Sequence, residues 1–199
     1  MIALIDYGMG NLRSVEKALQ KVGADVLVTQ DIKDFENAHK IVLPGVGAMQ
    51  PAMERLAQLG LIPAIQKAIS DGKPFLGICL GLQLLFEESG EGGRVRGLGI
   101  LKGNVERFST LKVPHMGWNT LKIKNDTCPL FKELEPSSHV YFCHSYFIKP
   151  ADPKIVATTT DYGIEFASSI HKENIFGVQF HPEKSQTSGL QILKNFHTL

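Results

Sequence analysis

A cysteine stands between two glycines in the segment KPFLGICLGLQLLFE, residues 73–87. An apolar run ends at Cys79 and a helical pattern follows it, with Gly77 two residues before and Gly81 two residues after. Glycines at these positions allow a sharp strand-to-helix turn in which a nucleophile protrudes. The free amides at the helix start favour a thiolate, and the Leu80 amide is then placed to bind an oxyanion. The pattern indicates a cysteine nucleophile, although a small buried core cysteine would look the same.

A second motif supplies the base that a cysteine nucleophile needs. The segment GVQFHPEKS, residues 177–185, is an apolar strand pattern that ends in His181-Pro182-Glu183. His181 can accept a proton and later return it to a leaving amine, while Glu183 can hold the imidazole tautomer and stabilise its cation. Alone, a histidine at a strand end also fits a structural role. Both motifs end predicted strands, where an open α/β sheet gathers its active site, so together they predict a Cys79–His181–Glu183 triad.

A third glycine-rich segment could complete such a site. In VLPGVGAM, residues 42–49, another predicted strand ends in a loop that contains Gly45 and Gly47. Because glycines let backbone amides approach a ligand closely, the Val46 amide could be a second donor to a developing oxyanion. A flexible connection between a strand and a helix is the alternative interpretation.

The elements that must position these residues alternate between strands and helices. MIALID is followed by the helical pattern NLRSVEKALQKVG, closed by Gly23, and then by the strands DVLVT and KIVLPG, the helix LGLIPAIQKAIS and the strand FLGIC. From about residue 98 the runs become shorter and β-like, before SGLQILKNF forms a last helix. We therefore expect an α/β fold, an open, mostly parallel sheet flanked by helices, with an additional mixed or antiparallel β layer. No linker interrupts residues 1–199, which predicts one domain.

Composition excludes several classes of protein. The chain has 199 residues, 43% of them hydrophobic and 21% charged, with a net charge of +1. A near-neutral chain without charge runs lacks the basic field that nucleic-acid binding requires. No apolar stretch approaches the roughly 20 residues of a membrane span, and the first residues show no signal-peptide pattern, so we expect a cytoplasmic protein without membrane contact. The three cysteines form no C-x-x-C pair, which argues against a metal site.

The motifs also carry a family resemblance that covers nearly the whole chain. It rests on IDYGMGNLRSV, LPGVGAM, GICLGLQLLFE, PHMGWN at residues 114–119, FCHSY at residues 142–146, and HPEKSQTSG. With these segments the chain resembles the class I, or triad, glutamine amidotransferases. The glycine-flanked cysteine and the His-Pro-Glu are common to that class. The opening segment and PHMGWN make the chain most similar to glutaminase subunits of imidazole glycerol phosphate synthase.

The resemblance implies a reaction without metal or organic cofactor. The Cys79 thiolate would attack the side-chain amide of glutamine, with the Leu80 and Val46 amides stabilising the oxyanion. His181 would protonate the departing ammonia, and water would hydrolyse the thioester to give glutamate. By analogy with the family, the substrate is held by Gly47, Gln83, Ser145 and Tyr146. For Gln83 an exposed helical position, and for Tyr146 a place in the core, are the structural alternatives.

Size and chemistry together imply a partner. A single domain occupied by a glutaminase site has little room for a second site that uses ammonia, and free ammonia becomes non-nucleophilic ammonium in neutral water. The resemblance identifies the partner as a (β/α)8-barrel cyclase, in a heterodimer that produces imidazole glycerol phosphate and an aminoimidazole carboxamide ribonucleotide for histidine biosynthesis. The interface residues expected by analogy are Asn11, Trp118, Asn119, Tyr141 and Lys184. Trp118 is the single tryptophan, and a buried core position would explain it nearly as well.

The glycine loop suggests a hypothesis about regulation. Glycines that permit an oxyanion hole also permit a misformed one, so we expect the isolated chain to be nearly inactive until a nucleotide-bound cyclase turns the Val46 amide inward.

Three other functions stay open. The chain could be an ammonia-donating subunit of another synthase, such as pyridoxal phosphate synthase. It could also be a different α/β hydrolase or chaperone with a cysteine turn, or an inactive docking subunit.

Overall fold

One large sheet organises the chain, which a computed structural model describes over residues 1–109 and 111–199. The strands are β1 (Ile2–Ile5), β2 (Val26–Thr29), β3 (Lys40–Leu43), β4 (Phe75–Ile78), β5 (Phe86–Ser89), β6 (Val95–Arg96), β7 (Leu101–Arg107), β8 (His115–Thr120), β9 (Lys122–Ile123), β10 (His139–His144), β11 (Tyr146–Pro150), β12 (Val156–Asp161), β13 (Glu165–Lys172) and β14 (Ile175–Val178). The helices are α1 (Leu12–Lys21), α2 (Ile32–Asn37), α3 (Met49–Gln58), α4 (Leu61–Ser70), α5 (Leu80–Gln83) and α6 (Gln186–Thr198). Short 3₁₀ turns lie at Pro129–Phe131, Pro153–Ile155 and Pro182–Lys184.

The predicted fold class is confirmed by the strand order. Strands β2, β1, β3, β4 and β14 are neighbours in this order and run parallel. The sheet continues from β14 through antiparallel β13, β11 and β7 to β5 and β6, while β12 pairs with β13 and β9. The last strand of the chain, β14, thereby lies beside β4, with Ile78 opposite Val178.

A separate two-stranded sheet is formed by β8 and β10, which pair antiparallel. The single apolar run HVYFCHSYFI is therefore divided at Ser145: β10 pairs with β8, and β11 pairs with β7 and β13 in the large sheet. Because the change of sheet occurs within one residue, Ser145 lies at a fixed corner between the two sheets.

Helices cover both faces of the parallel strands. Strands β1 and β4 are buried at every position, which explains why they read as continuous apolar runs. On one face pack α1 and α6, through buried residues such as Val15, Leu19 and Phe196. On the other face pack α2, α3 and α4, through residues such as Phe35 and Leu56. Gly23, with φ +93°, follows α1 as the sequence predicts.

The Lys73 side chain caps the C-terminal end of the short helix α2, and we expect its hydrogen bonds to stabilise the folded protein. Its Nζ donates to the carbonyl oxygens of Phe35 at 2.7 Å, Glu36 at 2.6 Å and Ala38 at 2.8 Å. Lys73→Met keeps the aliphatic stem but removes all three donors, so we expect the free energy of unfolding to fall by about 1–3 kcal/mol in urea titrations. Lys67→Met is the control, because Lys67 pairs with Asp71 at the exposed surface and the loss of this pair should lower the free energy of unfolding by much less than Lys73→Met does. Equal urea unfolding midpoints for the two variants would show that the Lys73 hydrogen bonds do not stabilise the fold.

Candidate active site

Cys79 occupies the turn between β4 and α5 in a strained conformation. Its φ of +53° and ψ of −107° lie outside the regions that L-residues ordinarily adopt. The flanking glycines allow α5 to lie directly against the strands: a methyl group at Gly81 would stand 1.9 Å from the Leu43 carbonyl oxygen, and one at Gly77 would stand 2.6 Å from the Gly81 carbonyl oxygen. The sharp turn predicted from the glycine spacing is therefore present, and it fixes the direction of the thiol.

His181 and Glu183 form a buried pair beyond the end of β14. The His181 Nδ1–H donates to Glu183 Oε1 at 2.8 Å, and the two side chains are only 4% and 1% exposed. Burial lowers the pKa of His181. The Cys79 sulfur and the Glu183 carboxylate raise it by a larger amount, so that the pKa is about 10. The imidazole therefore holds its proton at neutral pH, which is the state that a partner of a thiolate requires.

A cleft of about 260 Å³ opens above Cys79 and His181. Because β4 and β14 are adjacent and parallel, the residues that follow their ends face the same opening. All of the residues predicted for the oxyanion and for the substrate line this cleft, namely Val46, Gly47, Leu80, Gln83, Ser145 and Tyr146. Glu183 does not line it, since it lies behind His181. The cleft thus presents a thiol, a histidine and converging backbone groups, which are the components of acyl transfer from an amide.

One of the two predicted oxyanion donors, the Leu80 amide, already has a hydrogen-bond partner in this arrangement. The Leu80 N–H donates to the Gly45 carbonyl oxygen over a long N···O distance of 3.4 Å. Tyr7 lies against the same loop, and a methyl group at Gly45 would stand 2.5 Å from the Tyr7 hydroxyl oxygen, which has no hydrogen-bond partner in the described part of the chain. Gly47 has φ +93°, a conformation that favours glycine. The loop must shift before the Leu80 amide can bind a substrate oxygen.

Comparison with known proteins agrees with this arrangement. A family model described as glutamine amidotransferase class-I matches residues 3–198. The chain belongs to the class-I glutamine amidotransferases. It is 52% identical over 203 residues to imidazole glycerol phosphate synthase subunit HisH of Geobacter sulfurreducens, covering 98% of this chain and 97% of that protein. It is likewise 52% identical over 199 residues to subunit HisH of Moorella thermoacetica, covering 100% of this chain and 94% of that protein. Within the class it therefore belongs to the HisH family.

The fold is also found in solved structures of distant sequence. A crystal structure described as glutamine amidotransferase superposes with a TM-score of 0.78 at 17% identity, covering 100% of both chains. In the described residues of this amidotransferase, no helix is long and apolar enough to cross a membrane. Within the same residues no group of three or more histidine, cysteine, aspartate or glutamate side chains could hold a metal ion.

Three of the predicted interface residues form one cluster in this amidotransferase. Trp118 meets the Tyr141 ring edge-on at a centroid distance of 6.1 Å, and Lys184 Nζ lies 5.8 Å from the centre of the same ring. Asn11 is the N-cap of α1. Asn119 turns inward, where its amide donates to a buried histidine and to a main-chain carbonyl oxygen. The exposed Trp118 is not in the core, and the cluster borders the cleft through Lys184.

The structure adds Gln179, His115 and His144, to which the sequence analysis gave no role. Gln179 is fully buried, its Oε1 accepts from Gln83 Nε2 at 3.0 Å, and its Nε2 lies 3.7 Å from Cys79 Sγ. The signal for Gln179 was its place two residues before His181 in an extended run, since alternate residues of a strand share a face. No comparable local signal exists for the two histidines, because their contacts join different strands.

Proposed function

We propose that the chain is the glutaminase subunit of imidazole glycerol phosphate synthase, a single domain over residues 1–199 that acts in the cytoplasm in histidine biosynthesis. It hydrolyses glutamine and passes the ammonia to a (β/α)8-barrel cyclase in a heterodimer, without a metal or organic cofactor. The observation that carries this proposal is the cleft that joins Cys79 to the His181–Glu183 pair. About 50% identity to HisH proteins over nearly the full length supports the choice of synthase.

The reaction proceeds through a thioester on Cys79. The Sγ thiolate attacks the side-chain amide carbon of glutamine, and the carbonyl oxygen becomes an oxyanion that the Leu80 and Val46 amides stabilise. The proton on His181 moves to the amide nitrogen as the C–N bond breaks, so that ammonia leaves. His181 then removes a proton from water, which attacks the thioester, and the departing thiolate releases glutamate. Glu183 stabilises the imidazolium in both steps.

Gln83 is suited to recognise a donor group of the substrate. Its two amide hydrogens are used by the Tyr146 carbonyl oxygen at 2.9 Å and by Gln179 Oε1 at 3.0 Å. The remaining Oε1 can only accept, and it is available to the ammonium group of glutamine. Gly47 and the main chain of Ser145 and Tyr146 complete the binding surface in this proposal.

Docking of the cyclase opens the oxyanion site. The contact between the Leu80 amide and the Gly45 carbonyl occupies one of the two donors, which supports the expectation of low activity for the isolated chain. The bond is long and therefore weak, so a modest preference of the partner for the open loop would suffice to shift the population.

The first experiment compares glutamate production by the purified chain alone with production in the presence of a barrel cyclase and its nucleotide ligand. We expect a slow rate for the chain alone and a large increase on addition of both. Full activity of the isolated chain would contradict the hypothesis that its oxyanion loop is misformed without the partner, and it would indicate another amidotransferase. No hydrolysis in either state would favour an inactive docking subunit.

Glu183→Gln tests the role of the buried carboxylate. The amide can still contact His181 but no longer stabilises its cation, so we expect the partner-stimulated kcat to fall by at least ~100-fold with a small change in KM. Loss of the carboxylate also lowers the pKa of His181 from its value of about 10, so the alkaline limb of the pH–rate profile should move to lower pH. Glu106→Gln is the matched control, because Glu106 pairs with Lys149 at the exposed surface. If both variants retained full activity, Glu183 would have no part in catalysis.

A further inference from the structure

Two buried histidines link strand β8 to the segment that borders the cleft. His144 Nδ1 lies 2.8 Å from the Tyr146 carbonyl oxygen, and His144 Nε2 lies 3.0 Å from His115 Nδ1. On the far side of the second ring, His115 Nε2 lies 3.3 Å from the Asn119 side-chain nitrogen. The contacts therefore run without interruption from Asn119 to the Tyr146 main chain.

The direction of every hydrogen bond in this series is fixed by its two ends. A carbonyl oxygen can only accept, so His144 Nδ1 carries the hydrogen and Nε2 is the acceptor. His115 Nδ1 must then donate, and His115 Nε2 accepts from the Asn119 amide. Both rings are therefore neutral in the same tautomer. Burial agrees with this assignment, because it lowers the pKa of His115 to about 4 and that of His144 to about 3.

The series continues from Tyr146 to the nucleophile. The same Tyr146 carbonyl oxygen accepts a second hydrogen bond, from Gln83 Nε2 at 2.9 Å. Gln83 also donates to Gln179 Oε1 at 3.0 Å, and Gln179 Nε2 lies 3.7 Å from Cys79 Sγ. One polar relay, which comprises Asn119, His115, His144, Tyr146, Gln83 and Gln179, thus connects β8 to Cys79.

Aromatic rings enclose the histidine half of this relay. His115 stacks between Tyr162 and Phe142 at centroid distances of 4.0 and 4.8 Å. Phe108 and Phe166 meet the His144 ring at 5.4 and 5.3 Å. Water has little access to such a site, so a broken link leaves a buried polar group unpaired and is costly. The relay therefore behaves as a connected unit that fixes the position of the Tyr146 carbonyl.

The outer end of the relay adjoins an exposed apolar strand face. Met116 and Trp118 project from β8 with exposures of 61% and 47%, whereas His115 and Asn119 project to the inner side of the same strand. A partner that covers Met116 and Trp118 would press on the strand that holds His115. A displacement of β8 would then be transmitted to His144, because His115 and His144 lie opposite each other in the β8–β10 pair and both side chains are buried.

We propose that His115 and His144 are positioning residues that couple partner docking on β8 to glutamine binding in the cleft. His144 holds the Tyr146 carbonyl, with which Gln83 is aligned, and His115 transmits the position of β8 to His144. The partner half of this statement rests on the proposed function, whereas the His144–Tyr146 contact is internal to the chain.

Two substitutions at one position separate the two halves of the relay. In His144→Asn the short amide reaches the place of Nδ1 and can keep the bond to Tyr146, but it loses His115. In His144→Gln the longer amide reaches the place of Nε2 and can keep His115, but it loses Tyr146. The assay measures glutamine KM and kcat for the chain alone and in complex with the cyclase and its nucleotide.

We expect His144→Gln to raise the glutamine KM about five- to tenfold, the loss of roughly one hydrogen bond, with the stimulation of kcat by the partner retained. We expect His144→Asn to keep the KM within about twofold but to reduce that stimulation by about fivefold or more. His115→Phe, which preserves the ring stacking, should behave as His144→Asn does. Nitrogen NMR of the unmodified chain should show both histidines as neutral Nδ1–H tautomers. This measurement does not depend on the folding of any variant.

The proposal is overturned if folded variants of both kinds show the same KM and the same stimulation, or if either ring is found with its hydrogen on Nε2. These outcomes require an unmodified complex that hydrolyses glutamine. Failure of the unmodified complex itself would instead overturn the proposed function, and the coupling to the partner with it.

Discussion

Cys79→Ala is expected to lower the rate of glutamine hydrolysis by at least ~10⁴-fold, both for the isolated chain and for the complex with the cyclase. No other thiol occupies the strained turn between β4 and α5, as far as the structure describes the chain. Without sulfur no thioester can form, and the remaining groups of the cleft would only bind the substrate. Glutamate release measured with an excess of partner gives the rate.

The matched control is Cys143→Ala, the same change at a half-buried cysteine that also lines the cleft. We expect this variant to retain activity within about threefold, because its thiol has no part in the proposed mechanism. Cys79→Ala itself should unfold at the same temperature as the unmodified chain and should still bind the cyclase. Substantial glutaminase activity in Cys79→Ala would remove this residue from the nucleophile role.

Gly81→Ala is expected to have the largest effect on stability. The added methyl group would lie 1.9 Å from the Leu43 carbonyl oxygen, which belongs to the central strand β3 and cannot move without breaking the sheet. We expect the free energy of unfolding to fall by about 4 kcal/mol or more, or the protein to accumulate in insoluble form. Urea titration of the soluble fraction measures the first outcome.

Gly90→Ala is the control for this prediction. A methyl group at Gly90 meets no atom within 4 Å, and the residue is exposed. Its unfolding free energy should change by no more than about 0.5 kcal/mol. Similar stability of the two variants would show that α5 can withdraw from β3, and the close approach at Gly81 would then not be required.

Much of the site follows from local patterns in the sequence. Gly77 and Gly81 predict the turn at Cys79 because only residues without a side chain tolerate such close backbone contact. The alternation of apolar strands with helical patterns predicts the parallel sheet, and the positions of the motifs at strand ends predict their convergence. The turn is predictable because it depends on neighbours within a few residues, and the convergence because the carboxyl ends of parallel strands meet at one edge of a sheet.

Features that depend on long-range pairing were not predictable in the same way. The run HVYFCHSYFI has no internal signal for its division at Ser145, because the division depends on which strands are available for pairing. Helix α3 was not predicted, because its apolar face is narrow: it buries only Met49, Ala52 and Leu56. The contact of the Leu80 amide with Gly45 depends on loop geometry that composition does not determine. The assignment to one domain stays a prediction.

The position of β14 between β4 and β13 has a consequence for the order in which the protein is made. Synthesis proceeds from the N-terminus, so β1 to β4 and the cysteine turn leave the ribosome long before residues 175–183. Until then β4 has an unpaired edge, and Cys79 has neither His181 nor Gln179 beside it. A nascent or prematurely terminated chain therefore carries the thiol without its proton acceptor. Completion of the polypeptide is therefore what brings His181 and Gln179 beside Cys79, and we expect chains that end before residue 175 to release no ammonia from glutamine.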